Sequence, residues 1–187
     1  MSRERFIELV TPALMRFSQD LKSFLRMVED PEIDDESRVA GAGALLHVIS
    51  STGAIPGVRG VLRHLGDTML LRLVLSDMRE RSPEAIQKHI EASPEMLEPL
   101  SDELDAMRAY LGDRITVLEK VAQGFPKLNQ QGHEAAACVE DAESSTWLYD
   151  AVHTALIDEI DFGEEDVVRE LKQVDRILPA LASRVGR

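Results

Sequence analysis

Apolar residues returning at alternating spacings of three and four leave this chain little alternative to helix. In the N-terminal segment Ile7, Val10, Leu14, Phe17, Leu21, Phe24 and Val28 keep that spacing, which puts all seven on one helix face. A second run holds Leu62, Leu65, Met69, Leu70, Leu73 and Val74. The period then recurs in Leu97, Leu100, Leu104, Met107, Leu111, Leu118 and Val121. It recurs again in Ala135, Cys138, Ala142, Ser145, Tyr149, Val152 and Leu156, and finally in Val167, Leu171, Val174, Leu178, Leu181 and Val185. No alternation of the kind a half-buried strand requires is sustained anywhere. The expected fold is therefore all-α: a helical bundle of six or seven helices, mostly antiparallel, with no sheet. Heptad stripes also suit homo-oligomerisation by coiled-coil pairing. The flanking positions lack a regular alternation of charge, which favours packing within one chain.

Turn chemistry divides the helices. Thr11-Pro12 either kinks the first helix or restarts it with Thr11 as cap, because proline removes a backbone donor. Asp30-Pro31 ends it, and Asp34-Asp35-Glu36 supplies acids for the next helix start. Ser82-Pro83-Glu84 and Ser93-Pro94-Glu95 each place a capping serine before a first-turn proline and an acid. Gly112 is expected to bend its helix, Gly124 to Gly132 to form a loop, and Glu164-Glu165-Asp166 to open the last helix. Two regions follow: 1–80, holding a helical hairpin, and 81–187, a heptad-patterned bundle packed with the first as one unit.

Charge narrows the function classes. The chain of 187 residues carries a net charge of −13, which argues against nucleic acid, since phosphate binding needs a basic surface. Cys138 is the only cysteine, so there is no internal disulfide and no cysteine-built zinc site, and a cytoplasmic location is expected. Met1-Ser-Arg-Glu-Arg-Phe6 does not read as a secretory signal. Ala40 to Val58 has no formal charge and is long enough to span a membrane. Its Gly41, Gly43, Ser50, Ser51, Thr52, Gly53 and Pro56 favour a buried hairpin instead.

Within that hairpin Gly43-Ala-Leu-Leu-His-Val-Ile-Ser50 is followed by Ser51-Thr-Gly-Ala-Ile-Pro-Gly57 and Val58-Arg-Gly-Val-Leu-Arg-His-Leu-Gly-Asp67. With Asp30-Pro31 before it, the stretch from about Leu21 to Leu75 resembles the YkvA-like domain, a small bacterial family of unknown function. The resemblance implies a helical hairpin, carried here by Ile55, Pro56, Leu62 and Leu65. His47 stands at the family's tyrosine and Ser51 at its proline. The family's acidic positions fall on Gly53, Gly57 and Gly66, and only Asp67 keeps a carboxylate, so the resemblance implies a hairpin without a retained polar site.

Few motifs carry chemistry. Phosphate loops, dinucleotide glycine fingerprints and nucleophile elbows are absent. His64 and Asp67 share a helix face, but two ligands do not make a metal site. They read as a surface or capping pair, as do His133-Glu134 and Asp150 with His153. Asp158 to Gly163 fails the calcium-loop register at Ile160 and Phe162. No catalytic, cofactor or metal residue is assigned. The one concentrated feature is Glu134 to Glu170, where twelve acids face one base, Arg169. Glu140, Asp141, Glu143, Trp147 and Asp150 are its candidate interaction residues, with Trp147 off the core stripe and free for a helix or partner contact. The expected function is a non-enzymatic interaction or regulatory protein with an acidic docking face for a basic protein partner. The alternatives are a metal-binding or enzymatic bundle, and a peripheral membrane protein.

Overall fold

The computed structural model describes residues 2–158 and 162–185. Glu159 and Asp161 of the acidic stretch, and with them the centre of the Asp158–Gly163 segment, lie outside the described residues. The chain forms α1 (Ser2–Met15), α2 (Phe17–Glu29), α3 (Asp35–Ile49), α4 (Val61–Arg81), α5 (Pro83–Ala92), α6 (Pro94–Leu97), α7 (Leu100–Leu111) and α8 (Ile115–Gln123). A short hairpin, β1 (Asn129–Gln130) and β2 (His133–Glu134), precedes α9 (Ala137–Glu140), α10 (Ala142–Asp158), α11 (Glu164–Leu171) and α12 (Ile177–Ala182). The protein is all-α apart from that hairpin. Its turn places Gln131 and Gly132 at positive φ, and Asn129 Oδ1 accepts the Gly132 N–H at 3.1 Å. The helices are more numerous and shorter than the six or seven expected, because turns cut the long heptad runs.

The cuts fall close to the sequence signals. α1 runs through Pro12, and the break comes at Arg16, whose N–H still reaches the Pro12 carbonyl. Gly112, at φ +55, ends α7 and opens a 3-10 turn into α8. Ser82 and Ser93 precede α5 and α6 as expected, but neither hydroxyl caps its helix. Ser82 Oγ donates to Asp34 Oδ2 and accepts the Asp34 N–H, both at 3.0 Å, while Ser93 Oγ pairs with Ser23 Oγ at 2.7 Å. These serines tie separate helices together, a use that local spacing does not reveal.

At the centre stands α4, buried from Val61 to Leu75 except at Arg63 and touched by α1, α3, α7, α8 and α11. A helix buried almost all round belongs in a core, and the core around α4 spans both expected regions. Next to it, α3 is the uncharged Gly/Ala-rich segment. A Cβ at Gly41 would lie 2.7 Å from Val28 Cγ2, and one at Gly43 only 2.1 Å from the Phe125 carbonyl oxygen. Small residues there let α2 and the Phe125–Lys127 turn close onto α3, so close packing accounts for the composition. Ile55 and Leu65 are buried, as the hairpin reading required. Among the described residues no helix is long and apolar enough to cross a membrane.

Inside this frame lies a buried ionic network. Arg72 of α4 is 1% exposed; its Nε donates to Glu103 Oε2 of α7 and its Nη2 to Asp20 Oδ2 of α2, both at 2.7 Å. Burial pushes the Asp20 carboxyl up, and Arg72 pulls against that shift. The three charges therefore depend on one another while clamping three helices.

Candidate functional site

A cleft of about 720 Å³ lies between the first half of α3, the last half of α4 and the end of α8. Val39, Ala40, Leu73, Val74 and Ala122 form an apolar floor. Asp35, Glu36, Asp77, Glu80, Glu119 and Glu140 stand round it, against Arg81 and Arg108. The helix starts explain one lip: Asp34 caps α3 by accepting the Ser37 N–H at 3.0 Å, which sets Asp35 and Glu36 in the first turn. The facing lip is the polar end of α4, where Ser76-Asp77-Met78-Arg79-Glu80-Arg81 runs past the core. Asp35 is paired with Arg38 at 3.1 Å, and Glu36 with Arg81. Asp77 is pushed up by burial and then by its neighbours Glu80 and Glu119, with Arg81 opposing. The cleft thus holds more negative charge than its own arginines neutralise. Such a site favours a cation with apolar surface.

A second feature lies deeper. Asp67 of α4 is 0% exposed, and neither of its oxygens has a hydrogen-bond partner. His47 Nε2 of α3 lies 3.6 Å from Oδ1, and His64 Nδ1 lies 3.6 Å from Oδ2. Both distances exceed a hydrogen bond, so these four buried polar atoms approach at ion-pair distance without hydrogen-bonding, and Arg63 Nε lies 4.0 Å from the same Oδ2. Phe125 packs against His47, while Phe17 and Phe162 pack against His64. Burial lifts the Asp67 carboxyl to about 7, partly offset by Arg63, and burial followed by Arg63 drops His64 to about 4. The His47 imidazole is lowered for the same two reasons. The expectation of a surface or capping pair at His64 and Asp67 is therefore corrected. The pair is buried because α3 and the Phe125 turn cover this face of α4, and it acquires His47 as a third member. Among the described residues no group of three His, Cys, Asp or Glu side chains is placed to hold a metal ion.

The five interaction residues do not gather on one surface. Glu140 lines the large cleft, whereas Trp147 and Asp150 line a smaller recess with Ile49, Gln130 and Gln131. Asp141 serves the fold instead. Its Oδ2 accepts the Ser144 N–H at 2.9 Å, and its carboxyl is held low by that bond. Glu143 is exposed and lines neither recess. Trp147 stacks on His133, with ring centroids 4.2 Å apart. Glu170 is likewise structural, accepting the Val61 N–H at 3.0 Å and so closing the N-terminus of α4. Tyr149 is not on the core side. The break at Asp141 shifts the phase of α10, so Ser144, Leu148 and Val152 turn inward and Tyr149 is 45% exposed. Of the residues carried by the resemblance, Asp67 joins the buried cluster, Ile55 and Leu65 are core, and Pro56 borders the recess beside α11.

Comparison with known proteins returns no matching family model, no matching curated protein and no matching solved structure. The resemblance over Gly43–Asp67 therefore rests on those residues alone.

Proposed function

We propose that this protein is a non-enzymatic binding module whose cleft between α3, α4 and α8 takes a basic, partly apolar segment of a protein partner. One observation carries the reading: an apolar floor ringed by six carboxylates and only two arginines. It keeps the docking role expected of an acidic surface and moves its centre from the α10 face to the cleft, with Glu140 common to both. An amphipathic basic helix fits such a groove, its apolar side on the floor and its lysines or arginines against the lips.

The test uses a labelled synthetic Leu/Lys peptide that folds as an amphipathic helix. Changing Asp77, Glu80 and Glu119 together to their amides is expected to weaken binding about tenfold at low salt, three modest charge contacts being lost. Changing Glu143 and Asp150 to amides is expected to leave affinity within about twofold, since neither faces the cleft. Raising the salt should erase the difference between the two variants. Failure of the wild-type protein to bind the peptide, or equal losses in both variants, contradicts the reading.

A further inference from the structure

We propose that Arg81 is the cleft's resident stand-in for a basic residue of the partner, holding the Glu36 carboxylate until an incoming guanidinium or ammonium takes its place. The proposal rests on the reading of the cleft as a binding surface and adds how that surface is kept closed. Arg81 ends α4 and Glu36 opens α3, and both line the cleft. The Arg81 Nη1 donates to Glu36 Oε2 and lies 3.9 Å from Asp34 Oδ1, so the bridge joins the two lips. Its side chains are 54% and 81% exposed, and an ion pair so open to water contributes little and exchanges readily.

The apolar floor commits the occupant to an amphipathic basic helix rather than a bare cation, because Val39 and Leu73 offer nothing to a polyamine.

The experiment measures affinity for the same Leu/Lys helix in Arg81→Gln, with Arg108→Gln as control. Arg108 also lines the cleft, but its salt bridge is to Asp105 outside it, so its loss changes the charge without freeing a cleft carboxylate. Arg81→Gln is expected to tighten binding about fivefold and Arg108→Gln less than twofold, with Glu36→Gln cancelling the gain of Arg81→Gln. Equal gains from the two arginine variants mean that only net charge matters and overturn the proposal, as does an unchanged or weaker Arg81→Gln. Those outcomes leave the cleft reading intact, whereas no binding by any of the proteins removes both. Spermine binding as tightly as the helix overturns the amphipathic occupant. Dimerisation of Arg81→Gln in sedimentation makes a second copy the occupant and overturns it too.

Discussion

Arg72→Met is expected to lower folding stability by about 3–5 kcal/mol, measured by urea unfolding at neutral pH. Methionine fills much of the arginine's volume, so the loss is electrostatic rather than a cavity effect. Without the guanidinium, Glu103, at 2% exposure, loses the cation hydrogen-bonded to it, and Asp20, at 3%, keeps only Arg16, whose Nε lies 4.0 Å away. Asp20, already raised by burial, would be driven further toward the protonated form, and the variant should recover part of its stability as pH falls. Replacing all three charged groups by apolar residues of similar size is expected to restore most of the stability, because desolvation costs vanish along with the attraction. An Arg72→Met protein as stable as the wild type would show that the network contributes nothing.

Asp67→Asn is expected to make the protein more stable at pH 8, by on the order of 4 kcal/mol, and to leave it unchanged near pH 4. The folded-state pKa of Asp67 is raised from 3.8 to about 7. Below pH 4 the carboxyl is neutral in both states and adds no difference. As pH rises from 4 to 7 the unfolded chain ionises it first, so stability is lost through that window, and the asparagine variant escapes the loss. His64 works in the opposite sense. Its folded pKa lies at about 4 against an ordinary 6.5, so stability is lost as pH falls from 6.5 toward 4. In the wild type the two slopes cancel between pH 4 and 6.5, since each state holds one proton on the pair. His47, also lowered, adds an acid-side loss in both proteins. The variant should therefore show a steeper rise of stability with pH over that range, by about 1.4 kcal/mol per pH unit. Parallel stability–pH curves for the two proteins would mean that Asp67 titrates as an exposed acid does.

The helical class was legible because period alone carries it, and Gly112, Pro83 and Pro94 mark real ends. Burial depth was not. The stripe Leu62, Leu65, Met69 and Leu73 makes α4 look amphipathic, whereas Leu70-Leu71-Arg72-Leu73-Val74-Leu75 already has no polar face but the arginine. Read that way, Arg72 announces an internal partner, although nothing local points to Asp20 and Glu103. His47 and Asp67 meet only because α3 folds back on α4, and no spacing rule covers that. Tyr149 was misplaced because the non-helical Asp141 breaks the heptad run, so that α10 turns Ser144 and Leu148 inward in place of Ser145 and Tyr149. The cleft was hidden for the same reason as the ionic network: Glu36, Asp77, Glu119 and Glu140 come from four helices. The densest acidic run in the sequence drew attention to α10, while tertiary packing concentrates charge elsewhere.

Methyl and amide NMR spectra of the protein titrated with the Leu/Lys helix test the central claim most directly, because they report where the peptide sits. The expected perturbations fall on Val39, Ala40, Leu73, Val74 and Ala122, together with the amides of Glu36 and Ser37. Signals from Tyr149, Asp150 and His153 should stay where they are. Perturbations confined to the α10 face, with the cleft methyls unmoved, would contradict the assignment of the cleft as the binding surface.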